Sequence, residues 1–435
     1  MAYSPYISRT RALERFEDYI SRVPSEKISK QSHEDYLNTY RKFRDKYKKV
    51  VMIGIEFVGI GETIPRVAAY IRDSNKRDRQ ELWLVMPTFV DYYIKGIVNE
   101  AIFEIFAKDV PFITYENLDY WYWCFREKPD FFDLNEFYIY RAREAKEYIV
   151  GKNAEAFAFN EDEMKRGRHY LENMGVSGEF VCLHMREGRT KDVNFINYGS
   201  THVSDVEIST YRKACIYLEK CGLKVIRTGK DEVTPCNLPN TIDYANEYYN
   251  PWMDFYLCGN CKFMVGTEGG LTCVTSFWGK PTLMTNRVQL VFGWEEVMRT
   301  KHDMFIPKKF YSKEKRRFLN YYEMLQISEF CERNDLEFEQ RQIALTDNTE
   351  EEICDAVEEF NKRIDGKWME STEEIELMDR FDRMVKKFKE SHETVELRET
   401  AYQAYHNPKY KGYVMPPAKI SYSYLKNNQY LIEEH

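Results

Sequence analysis

Short, uninterrupted apolar runs that lead into glycine-bearing segments are the feature that most limits which fold this chain can adopt. One such run, Lys49–Ile55, is followed by a glycine-bearing segment, a helical stretch at Arg66–Arg72 and a second apolar run at Glu81–Met86. Apolar runs without polar alternation are typical of strands that are buried on both faces of a parallel sheet. Strand, glycine loop, helix and strand in this order predict a βαβ unit.

The same order recurs in the second half of the chain. Further strands are predicted at 179–185, 224–227, 241–244, 262–265 and 281–284, and helices at 210–220, 253–257 and 270–278. From residue 350 onward the pattern is mostly helical, and Asp347–Thr349 supplies residues that favour a helix N-terminus. Two α/β halves with a helical tail are what a ligand cleft between two Rossmann-like domains requires.

Composition excludes several classes of protein. Hydrophobic residues make up 43% of the 435 residues, which is enough for full-sized cores and far from a disordered composition. With 63 basic and 71 acidic residues the formal net charge is −8, which argues against a nucleic-acid partner. Ten scattered cysteines without a regular framework indicate reduced thiols. No apolar stretch is long enough for a membrane span and the first residues carry no secretory h-region, so we expect a cytoplasmic protein.

The segment 266–272 lies between a predicted buried strand and a predicted helix. Its glycines let the backbone approach a ligand closely, and the N–H groups at a helix start favour phosphate. The alternative is a tight turn that needs glycine for backbone reasons alone. We favour phosphate binding, because such folds bind ligands at the carboxyl ends of their strands. The candidate residues are Gly266, Thr267, Glu268, Gly269, Gly270 and Leu271.

A polar segment follows the strand predicted at 179–185. Alternation along the strand places His184 and Arg186 on one face at its carboxyl end. The planar guanidinium group of Arg186 suits phosphate oxygens, and Glu187 supplies a carboxylate within reach of the same cleft. Arg189 and Lys191 are equally well explained as residues of a solvated loop. The sequence therefore predicts a phosphate contact at Arg186.

Gly59, Gly61 and Glu62 form the corresponding loop of the first half. If the two halves face each other, Glu62 is placed to act as a general base. A glutamate at a helix start is more often a charge that compensates the helix dipole. The aromatic cluster Tyr120–Trp123 also has two interpretations, a wall on which sugars stack or packing inside the domain, and we favour packing.

Cys258 and Cys261 form a lone CxxC pair. A zinc site needs further ligands at a matching spacing, and a redox motif would follow a strand and open a helix. This pair instead ends a predicted helix and precedes a strand, which favours buried structural cysteines. The histidines form no HxH or HExxH pattern, so we expect no metal site and no cofactor.

Eight stretches of the chain carry a resemblance to known enzymes: 180–186 (FVCLHMR), 211–229, 242–245, 253–270, 277–286, 303–308, 347–357 and 424–428. They resemble a bacterial family of glycosyltransferases from surface-polysaccharide loci, within the GT-B class. The resemblance spans most of the chain and is weaker before residue 160. His184–Arg186 is also similar to the HxR motif of the α1,6- and protein O-fucosyltransferases, whose arginine holds the GDP diphosphate.

The resemblance implies a GT-B-like arrangement of two Rossmann-like domains that face a cleft. Residues 1–160 would form the acceptor-side domain, 161–345 the nucleotide-sugar donor domain, and 346–435 a helical segment that packs back on the first domain. Arg186 would hold the donor diphosphate, with His184 beside it. The matching stretches add further donor-side candidates, namely Thr228, Gly229, Asp243 and Tyr244.

The chain departs from that family at two places. Members tend to carry a Gly-His pair after the first strand, where this chain has Val58–Gly61, and an Arg-Asn pair near Ser204–Asp205. If the missing arginine normally grips the donor, either Arg189 or Lys191 replaces it or the donor differs.

These observations predict a metal-independent glycosyltransferase. It would move a sugar from a nucleoside-diphosphate sugar, a GDP-sugar being favoured, to a glycan or lipid-linked glycan. Arg186, the glycine segment and a helix N-terminus would stabilise the leaving diphosphate. Glu187, Glu62 and His184, in that order, are the candidate bases. A nucleotide-sugar epimerase of the same architecture and a non-catalytic carbohydrate-binding or assembly protein are the alternatives, and peripheral membrane association is compatible with each.

Overall fold

The chain divides into two compact units, Met1–Gly151 and Lys152–His435. The computed structural model describes residues 14, 17–18, 21, 25–27, 31–55, 57, 59–75, 77–87, 99–114, 116–140, 157–187, 202–230, 234–291, 300–328, 335–392 and 418–433. Each unit contains a parallel sheet, so the expected α/β class with two Rossmann-like domains is confirmed. The cleft between them remains a prediction.

The first unit has a three-stranded parallel sheet in the order β2-β1-β3. Its strands are β1 (Lys49–Ile55), β2 (Glu81–Pro87) and β3 (Phe132–Tyr140), and its helices are α1 (His33–Lys46), α2 (Ile60–Ser74), α3 (Ala101–Phe106) and α4 (Leu118–Glu127). The strand β1 is almost wholly buried, as its apolar run predicts. Tyr120, Trp121 and Phe125 of α4 lie in the core cluster with Phe131 and Phe132, which confirms packing as the main use of these aromatic residues.

Helix α2 begins earlier than the sequence predicts. Gly59 is its N-cap, so Gly61 and Glu62 lie in the first turn rather than in a loop, and the Thr63 N–H and hydroxyl both donate to the Gly59 carbonyl at 2.9 Å. Pro65 lies inside the helix, although proline is typical of helix starts. A proline in the second turn removes one main-chain hydrogen bond and crowds the carbonyl four residues earlier, and the burial of one face of α2 offsets that cost.

The second unit contains a seven-stranded sheet whose strands are all parallel, in the order β13-β9-β8-β7-β4-β5-β6. The strands are β4 (Phe180–His184), β5 (Lys224–Thr228), β6 (Thr241–Ile242), β7 (Met264–Gly266), β8 (Thr282–Arg287), β9 (Met304–Pro307) and β13 (Lys419–Ile420). A small antiparallel sheet is formed by β10 (Lys309–Ser312), β11 (Arg317–Phe318) and β12 (Ile343–Thr346). All five strands predicted for this half are present.

The helices of the second unit follow the predicted order. They are α5 (Glu161–Asn173), α6 (Arg212–Lys220), α7 (Tyr244–Glu247), α8 (Pro251–Asn260), α9 (Gly270–Phe277), α10 (Tyr321–Ser328), α11 (Asp335–Gln340), α12 (Glu350–Ile364), α13 (Thr372–His392) and α14 (Tyr422–Asn427). Thr349 caps α12 as expected: its hydroxyl accepts from the Glu352 N–H, and its own N–H donates to the Glu352 carboxylate. No described helix combines the length and apolar character that crossing a bilayer needs.

The helical segment 346–435 belongs to the second unit rather than forming a third body. Helix α12 packs against α6, and β13 pairs with β9 at the edge of the large sheet. Glu359 of α12 accepts hydrogen bonds from the Ser421 hydroxyl and from the Tyr422 and Ser423 N–H groups. These contacts place the segment in the second unit rather than on the first domain, and the division between the units falls after 151 instead of 160.

Candidate functional site

The order of the strands locates one crevice in the second unit. From β4 the chain adds β5 and β6 on one side, then returns to the other side of β4 with β7 and continues outward through β8 and β9. This is a topological switch point between β4 and β7, and open α/β sheets bind ligands there, outside the carboxyl ends of the strands. In register, His184 lies opposite Gly266 at those carboxyl ends. The two segments singled out in the sequence therefore meet at the switch point.

The glycines of the loop are required by close contact with His184. Gly266 has a φ of +152°, and a Cβ atom there would lie 1.7 Å from the His184 carbonyl oxygen. A Cβ atom on Gly269 would lie 2.3 Å from His184 Nε2. The loop main chain thus lies against the end of β4, where only glycine fits. Gly269 is also the N-cap of α9, so the N-terminus of this helix lies at the end of β4 as well.

Hydrogen bonds fix the main chain on both sides of Arg186. The Arg186 N–H donates to Thr267 Oγ1 at 2.8 Å, and the Thr267 N–H donates to the His184 carbonyl at 2.9 Å. The Arg186 carbonyl accepts from the Val206 N–H at 3.3 Å. The hydroxyl of Thr272 in turn donates to the Thr267 carbonyl at 3.0 Å. Strand end and glycine loop are therefore one hydrogen-bonded assembly, with the partly buried Arg186 at its centre.

Glu187 and Asp243 share a buried cation that the sequence analysis missed. Arg227 of β5 forms ion pairs with Glu187 and, at 2.9 Å, with Asp243. The second oxygen of Glu187 accepts from the Thr234 N–H at 2.8 Å. A charged residue directly after Val225–Ile226, inside a buried apolar run, was the available signal.

Glu268 of the loop is likewise held by a buried arginine. Arg287, at the carboxyl end of β8, contacts the Glu268 carboxylate at 2.7 Å and also donates to the Gln289 carbonyl at 2.6 Å. The side chain of Arg287 has no exposed surface, and that of Glu268 is 11% exposed. The negative charge of the loop is thus balanced by a cation of the protein itself.

The environment of His184 weakens it as a base. Burial lowers the pKa of His184 from 6.5 to about 4, and the positive charges of Arg227 and Arg186 act in the same direction. The imidazole is therefore neutral at pH 7 and a weak proton acceptor. Its contacts with Gly266 and Gly269 make it part of the surface that shapes the loop.

The other donor-side candidates lie near the same carboxyl edge of the sheet, but several of their side chains make contacts within the protein. The Thr228 hydroxyl donates to the Leu183 carbonyl at 3.3 Å, and Leu271 is buried in the first turn of α9. Tyr244 points into the core: its hydroxyl donates to the Asn250 carbonyl at 2.6 Å, and burial raises its pKa. Gly229 follows β5 with a φ of +158°. This geometry therefore argues against a direct contact between Tyr244 and a ligand.

The side chains of three candidates lie outside the part of the chain that the structure describes. Arg189 and Lys191 fall in an undescribed segment, and of Glu62 only the main chain, in the first turn of α2, is described. Their roles remain predictions.

Cys258 and Cys261 are buried thiols. The Cys261 thiol donates to the Cys258 carbonyl at 3.4 Å, the Cys258 thiol donates to the Leu271 carbonyl at 3.5 Å, and burial raises the pKa of Cys258 well above its ordinary value. Metals bind the thiolate, which such burial disfavours. Among the described residues, no three His, Cys, Asp or Glu side chains are grouped as metal ligands.

Comparison with known proteins gives only distant structural similarity. No protein-family profile matches the chain, and no curated protein sequence matches it. A family 9 glycosyl transferase from Veillonella parvula is similar at a TM-score of 0.33 and 11% identity, over 55% of this chain and 81% of that one. The ADP-heptose LPS heptosyltransferase II of E. coli is similar at a TM-score of 0.33 and 11% identity, over 55% of this chain and 85% of that one. A UDP-GlcNAc 2-epimerase from Methanocaldococcus jannaschii is similar at a TM-score of 0.28 and 10% identity, over 59% of this chain and 89% of that one.

Proposed function

We propose that this protein is a glycosyltransferase that transfers a sugar from a nucleoside-diphosphate sugar to a glycan or lipid-linked glycan acceptor. The observation that carries the proposal is the hydrogen bond between the Arg186 main chain and Thr267, which joins an arginine to a glycine loop at the switch point of the sheet. An arginine fork, loop N–H groups and a helix N-terminus are suited to hold a diphosphate.

The same groups would supply the chemistry of the transfer. Negative charge develops on the diphosphate as the bond to the sugar breaks, and fixed donors aimed at that charge lower the barrier. In this proposal Arg186 and the loop N–H groups take the place of a divalent cation. The pairing of Glu268 with Arg287 supports this, because the one acid of the loop is already balanced by a protein cation.

A base is needed to accept the proton of the acceptor hydroxyl. Glu187 already has both oxygens engaged, and His184 has a pKa of about 4, so neither is well suited at neutral pH. We therefore place Glu62 of the first unit ahead of them, which reverses the order that the sequence suggested.

The test is a panel of GDP-, UDP-, ADP- and CDP-sugars incubated with and without glycan acceptors. A transferase gives acceptor-dependent release of nucleoside diphosphate, and EDTA leaves that release unchanged. Interconversion of the donor without an acceptor would instead identify an epimerase. An absence of binding and turnover with every nucleotide sugar would contradict the proposal.

A further inference from the structure

A buried charge cluster ties together the carboxyl ends of three neighbouring strands. Glu187 follows β4, Arg227 belongs to β5 and Asp243 follows β6; their side chains are 9%, 1% and 6% exposed. Arg227 Nη1 donates to Asp243 Oδ1 at 2.9 Å, and Nη2 donates to Glu187. The forked guanidinium group thereby spans two loops that are distant in sequence.

Both carboxylates of the cluster accept hydrogen bonds at both of their oxygens. The second oxygen of Glu187 accepts from the Thr234 N–H, and the second oxygen of Asp243 accepts from the Cys236 N–H and from Asn246 Nδ2, each at 2.8 Å. Carboxylates that are buried and bonded at both oxygens hold main chain in place. A general base instead needs an oxygen that is able to accept a proton from substrate.

We infer that Glu187 and Arg227 are positioning residues that hold Arg186 in the geometry that binds the donor diphosphate, and that Glu187 is not the catalytic base. This inference rests on the proposed function. Glu187 is the next residue after Arg186, so fixing its side chain limits how the Arg186 main chain moves. Arg227 also balances one of two carboxylates that would otherwise repel an anionic donor beside the crevice.

The experiment measures two properties of the full-length protein: the Kd for nucleoside diphosphates by calorimetry, and the pH profile of kcat at saturating donor. The variants are Glu187→Gln, Arg227→Met and their combination. Glu351→Gln is the matched control, because Glu351 also pairs with a cation of the second unit, Lys213, but on the exposed surface. Thermal unfolding checks that each variant folds.

A positioning role predicts weaker binding with little change in chemistry. Glu187→Gln should raise the Kd about tenfold, as expected for loss of one charge-assisted bond, and leave the shape of the kcat profile unchanged. Arg227→Met should raise the Kd further, because it leaves two unbalanced carboxylates. The double variant should bind no more weakly than Arg227→Met, since both changes remove the Glu187–Arg227 contact and Glu187→Gln also removes one of the two unbalanced charges. The control should bind like the wild type.

Other outcomes separate the inference from the function on which it rests. A Glu187→Gln variant with wild-type Kd, reduced kcat and a lost acidic limb of the pH profile would make Glu187 the base and overturn the inference alone. If Arg227→Met does not fold, Glu187→Gln decides the question by itself. Failure of the wild type to bind any nucleoside diphosphate would overturn the proposed function, and the inference with it.

Discussion

At the scale of single residues, Arg186 is the side chain on which the proposed function depends most. Its main chain is fixed by Thr267 and Val206, so we expect the end of the strand to keep its place when the side chain is shortened. We predict that Arg186→Ala lowers turnover by about 100- to 1,000-fold, the usual loss for one donor aimed at developing charge, with little change in the free energy of unfolding. Arg186→Lys should restore turnover only in part, because a point charge does not reproduce the fork. Steady-state kinetics with chemical denaturation measure both, and near-normal turnover in Arg186→Ala would contradict the role.

His184 makes the free energy of unfolding depend on pH in the acidic range. Its pKa is about 4 in the folded protein and ordinarily 6.5, so between these pH values the unfolded chain binds a proton that the folded chain does not. Stability that is present above pH 6.5 is therefore lost as the pH falls toward 4, by on the order of 3 kcal/mol. We predict a smaller loss over this range for His184→Gln. Urea unfolding at several pH values measures it, with the exposed His169→Gln as control; an unchanged pH dependence in His184→Gln would exclude this origin.

At the scale of elements, the two glycines that contact His184 should respond differently to substitution. A Cβ on Gly269 would meet the side chain of His184, whereas a Cβ on Gly266 would meet its main chain. We predict that Gly266→Ala and Gly269→Ala both weaken nucleoside-diphosphate binding, and that His184→Ala partly restores binding only in Gly269→Ala. Shortening the His184 side chain removes the clash in Gly269→Ala. The clash in Gly266→Ala is with the His184 main chain, so only movement of the main chain removes it. Equal rescue of both variants in a binding titration would show that the loop is held in some other way.

The sequence was a good guide to strands and loops and a poor guide to the partners of charged residues. Apolar runs and glycines predicted β4, β7 and the loop after β7, because these signals are local. The pairing of Arg227 with Glu187 depends on strand order, which no local pattern contains. For the same reason Tyr244, predicted at the donor site, turned out to bond within the core.

At the scale of the whole molecule, the described residues that we propose as donor contacts all lie in the second unit. The glycine loop, Arg186 and the arginines that balance the nearby acids all fall within Lys152–His435, and the described part of 346–435 packs into the same unit. We predict that a shortened chain, Lys152–His435, binds nucleoside diphosphate as tightly as the full chain but transfers no sugar. Calorimetry and an acceptor assay measure the two properties. A folded second unit that does not bind nucleotide would show that the first unit contributes donor contacts.

The position of a bound nucleoside diphosphate is the most direct test of the central claim, that the carboxyl edge between β4 and β7 holds the donor. A crystal structure of the full-length protein with the nucleoside diphosphate that binds most tightly would locate it. We predict that phosphate oxygens accept hydrogen bonds from the Arg186 guanidinium group and from main-chain N–H groups of 268–270. A diphosphate bound in the first unit, or elsewhere in the second unit away from Arg186, would contradict the account.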